Sequence, residues 1–141
     1  MNYDVANNSW GTAGLLADDF KADYGNNVSL NERERAIENA IEFGRDGLGT
    51  NIIFAGGNAR ADGDNVNYHN TQNSRFVSTI GSINQEGDLS KLIEASDPFS
   101  NPGSAILVSA PGANIKSTAN LLENENGSTF GDDFATTQGT S

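Results

Sequence analysis

The sequence has 141 residues, which suits one domain that is large enough to bury a hydrophobic core. Eight basic residues against nineteen acidic ones give a formal charge of −11, which argues against nucleic acid and anionic membrane surfaces as partners. Cysteine is absent, which excludes disulfides and thiolate metal sites, and no apolar run is long enough to span a membrane. The acidic, asparagine-rich composition instead favours a protein that holds calcium through carboxylate oxygens.

The first half of the chain predicts a strand, a helix and a second strand. Tyr3–Asn8 is a short predicted strand, and Ser29–Phe43 is the clearest predicted helix. Its apolar residues recur at helical spacing on one face: Ala36, Ile37, Ala40 and Ile41. Ile52–Ala55 is a continuous apolar run, which is typical of a strand that is buried on both faces of a parallel sheet. This order is a βαβ unit with a right-handed crossover.

The second half predicts three more strands. They are Phe76–Ile83, the apolar and buried Ile106–Val108, and an edge strand that starts at Ile115. A hairpin is expected around Asn126-Gly127, and Leu15–Tyr24 is a solvated loop or a frayed helix. The predicted fold class is therefore α/β, with three layers and a mainly parallel sheet that carries helices on its faces.

Two strand ends are candidate binding positions. Gly56 and Gly57 follow the strand Ile52–Ala55, so Asn58 stands at a carboxyl strand end, where open α/β sheets bind ligands. A side-chain amide there is a hydrogen-bond donor, although glycine and asparagine also occur in ordinary turns. The Trp of Ser9-Trp10-Gly11 either fills the core or marks a strand end whose backbone faces a peptide ligand.

The loop Ala59–Ser74 is long and polar, and loops of this length in compact domains are usually functional or disordered. Asp62 and Asp64, with nearby asparagine oxygens, form a candidate site for a hard cation. The EF-hand pattern is not met, and carboxylates on loops are commonly just hydrated.

The last residues, Gly139-Thr140-Ser141, resemble the segment around the nucleophile of subtilisin-like serine proteases. Four other segments resemble that family in the same order along the chain: Asn7–Gly11, Phe54–Asn58, Asn73-Ser74 before a strand, and Ser109–Gly112. The Ser-Trp-Gly and the Gly-Asp-Asn-Val-Asn-Tyr of the loop are most similar to the kexin-like branch. The resemblance covers nearly the whole chain, and it implies a partial subtilisin-like fold with residues 1–141 as one incomplete peptidase domain.

The resemblance also implies a role for individual residues. Ser141 matches the nucleophile, and Asn58 matches the asparagine whose side-chain amide stabilises the oxyanion of the tetrahedral intermediate. The primary specificity pocket would have two backbone walls. The first would consist of Ser9, Trp10 and Gly11, and the second of Ala55, Gly56 and Gly57. The first wall would pair with an extended polypeptide substrate by β-addition.

The chain also departs from the family pattern. In the family, the catalytic aspartate and histidine come earlier in the sequence than all the segments that this chain matches. We therefore expect this chain to act together with a missing N-terminal part of the catalytic domain. The only histidine, His69, matches no catalytic position. Asp64 matches a calcium ligand of the kexin-like branch, whereas Asn101 stands where that branch has a glutamate ligand. The resemblance implies Ca²⁺ at Asp64, and the carboxylate-rich loop adds Asp62 as a ligand. Because the ligand set is incomplete, we expect at most weak Ca²⁺ binding, and no organic cofactor. The location implied by the resemblance is extracellular.

Two functions from different classes remain open at this point. The first is the C-terminal portion of a subtilisin-like serine endopeptidase, which is inactive when isolated. The alternative is a non-enzymatic, acidic, calcium-binding domain on a protease-like scaffold. Flanking sequence that carries an aspartate-bearing strand and a histidine-bearing helix would favour the enzyme.

Overall fold

A four-stranded parallel sheet with a helix against it forms the centre of the molecule. The computed structural model describes residues 3–11, 28–91, 96–118 and 134–140. Its elements are β1 (Val5–Asn8), α1 (Val28–Phe43), β2 (Asn51–Ala55), β3 (Ser78–Ile83), β4 (Ile106–Pro111), β5 (Ile115–Thr118) and β6 (Phe134–Thr137). Short 3₁₀ turns at Gly44–Gly47, Arg60–Asp62 and Val66–Tyr68 connect them.

The strands of the main sheet lie in the order β1-β2-β3-β4, and all three pairings are parallel. The predicted parallel α/β fold is thus confirmed, including β1–α1–β2 as a strand-helix-strand unit. Strand β3 begins at Ser78, two residues later than predicted. Phe76 and Val77 belong instead to a turn that the hydrogen bond from Val77 N to Ser74 O closes at 3.2 Å.

Helix α1 packs on the face of β2 that carries Ile52 and Phe54. These two side chains and Ala40 of the helix form the buried apolar cluster, with Ile37, Ile41 and Val77 partly buried around it. Among the described residues, no helix has the length and apolarity to cross a membrane. Three residues of the predicted helical face, Ile37, Ala40 and Ile41, therefore pack toward the sheet, whereas the fourth, Ala36, is exposed.

The prediction that β2 is buried on both faces is only half right. Successive side chains of a strand point to opposite faces, so Ile53 and Ala55 lie on the face away from α1. Both are partly exposed, because they line a cavity of about 240 Å³ together with residues of β3 and β4. The other members of the strand, Ile52 and Phe54, are buried as expected.

The prediction that Ile106–Val108 is a strand is confirmed, because these residues begin β4, but the prediction that they are buried is wrong. Leu107 is 67% exposed and Val108 54% exposed. The register with β3 shifts by one residue here, since Thr79 pairs with Ile106 and Ile80 pairs with Val108, so Leu107 is a bulged residue. In the part of the chain that the structure describes, β4 is also an edge strand with β3 as its only partner.

Strands β5 and β6 form a separate antiparallel ribbon, in which Ile115 pairs with Thr137 and Thr118 with Phe134. Sequence reasoning predicted β5 but assigned no strand to β6. The expected hairpin turn at Asn126-Gly127 and the loop or frayed helix at Leu15–Tyr24 lie outside the described residues. The described ranges contain one α-helix, on one face of the sheet. The helix layer that the three-layer prediction puts on the other face therefore stays a prediction.

Candidate active site

The two predicted backbone walls lie side by side at the carboxyl ends of β1 and β2. Parallel pairing sets Asn8 opposite Phe54, so Ser9–Gly11 leave the sheet beside Ala55–Gly57. The Asn8 side chain strengthens this junction, because its Nδ2 donates to the carbonyl of Ile53 at 3.1 Å. Ser9, Trp10 and Gly11 are exposed. The structure therefore brings the six predicted wall residues together.

Trp10 is attached to the core at one edge and exposed at the other. Its ring meets the ring of Phe54 edge-on, with 5.1 Å between the centroids. The guanidinium of Arg33 on α1 lies 5.1 Å from the centre of the indole. An aromatic pair and a cation–π contact each add a modest stabilisation, so the indole fixes the wall Ser9–Gly11 against both β2 and α1.

Gly57 has a conformation and a contact that only glycine satisfies. Its φ is +94°, in the left-handed region, and a Cβ here would lie 2.5 Å from Asn101 Nδ2. The preceding Gly56 extends the sheet, since its N–H donates to the carbonyl of Ile80 at 2.9 Å. The chain thus turns at Gly57 and presents Asn58 on the surface.

The side chain of Asn58 is held in one orientation by Thr140. The backbone N–H and the hydroxyl of Thr140 both donate to Asn58 Oδ1 at 3.0 Å. The same hydroxyl accepts from Gly57 N at 3.0 Å. Because two donors meet that one atom, it must be the carbonyl oxygen, and the NH₂ group therefore points the other way. That NH₂ group makes no hydrogen bond to the described residues, so it is a free donor at an exposed position.

Two backbone hydrogen bonds place the segment that contains Thr140 next to Asn58. Gly112 N donates to Ile83 O, and Gly139 N donates to Gly112 O, both at 2.9 Å. Gly112 and Gly139 are buried, and a Cβ on Gly112 would collide with Gly139. Two segments that carried the resemblance, Ser109–Gly112 and Gly139–Ser141, are thereby joined. Ser141 itself, the predicted nucleophile, lies outside the described residues and follows Thr140 directly in the chain.

Asn101 lies behind Asn58 and contacts the peptide groups on both sides of it. Its backbone N donates to Gly57 O at 2.9 Å, and its Oδ1 accepts from Ala59 N at 2.8 Å. Its Nδ2 donates to Asp64 Oδ2 at 2.7 Å. Asn101 is 2% exposed, and its side-chain amide is paired at both ends. It therefore holds the segment Gly57–Ala59 from inside the protein.

Asp64 and His69 form a buried pair beneath Asn101. His69 Nε2 lies 2.8 Å and 2.9 Å from the two carboxylate oxygens, and Asn65 N donates to Oδ1 at 2.9 Å. Burial alone would raise the pKa of Asp64. The hydrogen bonds from His69, Asn65 and Asn101, together with the charge on His69, hold it below its ordinary value. Asp64 is thus an ionised acceptor at the centre of the cluster.

This arrangement does not fit a calcium site. Calcium takes six to eight oxygen ligands, whereas N–H groups of His69, Asn65 and Asn101 surround the carboxylate of Asp64. Asn101 cannot turn its oxygen toward Asp64 without giving up Ala59 N. Asp62 is exposed, and the described residues contain no group of three or more acidic or histidine side chains that could hold a metal.

Sequence reasoning missed the roles of Thr140 and Asn101. Thr140 lies inside the Gly-Thr-Ser motif, but the motif was interpreted only through its serine. Asn101 was considered only as a departure from a calcium ligand, in a loop that is distant in sequence from Asn58. His69, which matched no catalytic position, is 4% exposed and bonded to Asp64. The sequence signal for this pair was that His69 and Asp64 lie close together in the same polar loop.

Comparison with known proteins gives one family. A sequence model of the subtilase family matches residues 1–141. A dibasic-processing endoprotease of Schizosaccharomyces pombe is 36% identical over 91 residues, which cover 61% of this chain and 12% of that protein. Proprotein convertase subtilisin/kexin type 7 of mouse and of human is 36% identical over 52 residues, 37% of this chain and 7% of each relative. The chain matches only a small part of the length of these relatives.

Proposed function

The chain belongs to the subtilase family, and we propose that it is the part of a serine endopeptidase domain that supplies the nucleophile and the oxyanion donor. The nucleophile is Ser141 and the donor is the side-chain amide of Asn58. One observation carries the proposal: Thr140 fixes the Asn58 carbonyl and leaves its NH₂ group free, one residue before Ser141. A donor that is fixed before the reaction needs no reorganisation when charge develops.

The reaction divides peptide hydrolysis into two steps. Ser141 Oγ attacks the substrate carbonyl carbon while its proton passes to a histidine base, and the carbonyl oxygen becomes negatively charged. The Asn58 NH₂ group donates to that oxygen. Collapse of this intermediate releases the amine with the proton from the histidine, and leaves an acyl ester on Ser141. Water then attacks the ester carbonyl carbon while the histidine takes a proton from the water. Collapse of this second intermediate breaks the bond to Ser141 Oγ, which regains its proton from the histidine, and releases the carboxylic acid.

The substrate is an extended polypeptide that lies against the two walls. Ser9–Gly11 continue β1 beyond its last pair with β2, and they are exposed. A substrate strand pairs with this segment through backbone hydrogen bonds, which give affinity without regard to side chains. Ala55–Gly57 form the opposite wall. This proposal accounts for the glycines at the wall positions, where a Cβ would obstruct a closely approaching backbone.

The histidine base comes from outside this chain. His69 is buried, and its Nε2 donates to Asp64, which favours a structural role. A serine hydroxyl without a base is a poor nucleophile, so we propose that the isolated chain does not hydrolyse peptides. We further propose an extracellular location for the complete enzyme, in line with the sequence-based expectation.

Calcium binding is proposed to be weak at most. Within the described part of this loop, the N–H groups around Asp64 leave the exposed Asp62 and scattered amide oxygens as ligands. We expect calorimetric titration of the chain with Ca²⁺ to give a dissociation constant no tighter than about 10⁻⁴ M, the range of weak extracellular sites. A micromolar constant would contradict this expectation.

The test compares the isolated chain with the longer protein encoded by the same reading frame, each with and without Ser141→Ala. The readouts are cleavage of a chromogenic peptide and covalent labelling by a fluorophosphonate probe. We expect no turnover by either isolated chain, and turnover by the longer protein that disappears in its alanine variant.

Two results would contradict the proposal. Turnover by the longer protein that survives Ser141→Ala would mean that another residue is the nucleophile. Turnover by the isolated chain that is lost with Ser141→Ala would mean that a base lies within this chain, and His69→Ala would then identify or exclude it. A fluorophosphonate adduct mapped to Ser141 by mass spectrometry supports the nucleophile independently of the substrate chosen.

A further inference from the structure

We propose that Asn101 is a positioning residue that fixes the oxyanion donor Asn58, and that Asp64 and His69 hold Asn101 in place without a metal ion. The inference rests on the proposed function only where it calls Asn58 the oxyanion donor. The contacts that carry it lie among described residues, and all are hydrogen bonds of 2.7–2.9 Å. We call Asp64, His69 and Asn101 the polar cluster.

Asn101 contacts both peptide groups that define where Asn58 stands. Its N–H holds the carbonyl of Gly57, and its Oδ1 holds the N–H of Ala59. Thr140 fixes the rotation of the Asn58 side chain but does not contact the peptide group after it. The two anchors are therefore complementary: Thr140 sets the direction of the NH₂ group, and Asn101 sets the position of the backbone that carries it.

The orientation of Asn101 follows from its neighbours. Ala59 N is a donor, so the atom of Asn101 that it contacts must be the oxygen. The NH₂ group then faces Asp64, whose carboxylate oxygen accepts its hydrogen bond at 2.7 Å. Asp64 is oriented in turn by the ring of His69 and by Asn65 N. A continuous series of hydrogen bonds thus runs from His69 through Asp64 and Asn101 to the backbone at Asn58.

The polar cluster also replaces what a cation would supply. A buried carboxylate needs either a positive ion or several N–H donors, because burial of an unpaired charge is costly. Here His69 Nε2, Asn65 N and Asn101 Nδ2 fill that role. The position of Asn58 is consequently set by side chains of the chain itself and is independent of calcium.

Small displacements of a catalytic group have large effects on rate, since about 1 Å of misplacement can cost on the order of 10². Loss of the oxyanion donor itself costs roughly 10²–10³ in kcat, a value measured on subtilisin, a member of this family. We expect Asn101→Ala in the longer, active protein to lower kcat about 10- to 100-fold and to change KM less than about 2-fold. A purely structural defect would instead reduce the amount of active enzyme.

The direct test needs no substitution and no activity. In the ¹³C,¹⁵N-labelled chain we expect a scalar coupling across the hydrogen bond between Ala59 N and Asn101 Cγ. We also expect slow exchange of the Ala59 N–H, and no shift of either residue on addition of millimolar Ca²⁺. Absence of the coupling together with fast exchange, or a Ca²⁺-dependent shift of the Asn101 side chain, would overturn the inference.

Substitution provides the second test. In Asn101→Ala we expect Ala59 N–H exchange to accelerate at least about 10-fold and the Asn58 NH₂ resonances to shift. The matched control is Ser90→Ala, which removes the buried hydrogen bond from Ser82 Oγ at 2.7 Å and none of the hydrogen bonds described for Asn58, Thr140 or the polar cluster. This control should leave the Asn58 resonances and kcat unchanged. Unchanged Asn58 resonances in a folded Asn101→Ala chain would overturn the inference.

The two proposals fail separately. If the longer protein shows no peptidase activity, the proposed function fails, while the coupling between Ala59 and Asn101 still decides whether Asn101 positions this segment. If the longer protein is active but kcat does not depend on Asn101, the positioning role is wrong and the proposed function stands.

Discussion

The molecule contains two buried clusters of opposite character on either side of the Gly57 turn. The apolar cluster of Ala40, Ile52 and Phe54 lies between α1 and β2. The polar cluster of Asp64, His69 and Asn101 lies behind Asn58, and hydrogen bonds join its three buried members. The first joins the helix to the sheet, whereas the second joins the loop Ala59–Ser74 and the turn before it to the loop that contains Asn101.

Stability and positioning are assigned to different residues in this molecule. Apolar burial is non-directional and scales with the area removed from water, so the apolar cluster determines whether the fold forms. Hydrogen bonds are directional, and a lost partner leaves a buried group unpaired. The polar cluster therefore determines where Asn58 stands. Pairs of substitutions test this separation of roles. In each pair, one substitution changes a residue that makes buried contacts, and the other makes the same change at a position that is exposed or has free space around it.

The largest difference is expected at Phe54. Phe54→Ala removes the largest side chain of the apolar cluster and its edge contact with Trp10, and should lower the free energy of unfolding by about 3–5 kcal/mol. Phe43→Ala is the same substitution at an exposed position and should cost less than about 1 kcal/mol. Urea denaturation followed by circular dichroism measures both. Equal losses would mean that the apolar cluster does not hold α1 on the sheet.

The second difference concerns the charge of the polar cluster. Asp64→Asn preserves size but leaves at least one of the donors from His69 and Asn101 without an acceptor, which should cost roughly 1–3 kcal/mol. The matched variant Asp62→Asn lies two residues away, is exposed, and should change stability by less than about 0.5 kcal/mol. Urea denaturation gives both values. If the two variants were equal, the charge of Asp64 would have no structural role.

Amide chemical shifts provide a second readout for the same pair. In Asp64→Asn we expect shifts at Gly57, Ala59 and Asn101, whereas Asp62→Asn should leave these three unchanged. Shifts spread evenly over the sheet would indicate general loosening and would contradict a local positioning role for the polar cluster.

Much of the fold was predictable because its signals are local in sequence. A continuous apolar run indicated β2, the apolar residues Ile80 and Ile83 indicated β3, and helical spacing indicated α1. The candidate site was predictable in part because Phe54–Asn58 and Gly139–Ser141 carry recognisable motifs. Phe54–Asn58 ends at the carboxyl edge of the parallel sheet. Gly139 and Thr140 follow β6 of the separate antiparallel ribbon, and they reach Asn58 through the hydrogen bonds of Gly112 with Ile83 and Gly139.

The features that sequence reasoning missed depend on partners that are distant along the chain. β6 is a short Phe-Ala-Thr-Thr segment without strong alternation, and it is a strand because β5 pairs with it. Asn101 is an asparagine in a proline-containing loop, and only the folded structure brings it to Gly57 and Ala59. Leu107 was assigned to a buried run, because a sequence does not reveal a bulge that arises from pairing with β3.

The third difference compares two glycines in the left-handed region. Gly63 has φ +87° and open space around its Cα, so Gly63→Ala should cost only backbone strain, about 1–2 kcal/mol. Gly57 has φ +94°, but its new Cβ would also displace Asn101 Nδ2. Gly57→Ala should therefore cost about 1 kcal/mol more than Gly63→Ala, because a hydrogen bond of Asn101 is lost or weakened.

Thermal and urea denaturation of the two glycine variants measure this difference. Exchange of the Ala59 N–H should accelerate in Gly57→Ala and not in Gly63→Ala. Identical stability losses with an unchanged Ala59 exchange rate would show that Asn101 moves aside freely, and the polar cluster would then be a loose contact.

The smallest effect is expected at Leu107, which tests whether apolar character alone predicts a structural role. Leu107 and Ile106 are neighbours in the same apolar run, but the bulge turns Leu107 outward, whereas the Ile106 side chain lies against Gly81. Leu107→Ser removes little buried surface and should change the free energy of unfolding by less than about 0.5 kcal/mol. Ile106→Ser removes partly buried contacts and should cost about 1 kcal/mol or more. Urea denaturation of both variants checks the order. If Leu107→Ser proved as costly as Ile106→Ser, Leu107 would be buried in solution, and the register shift between β3 and β4 would be wrong.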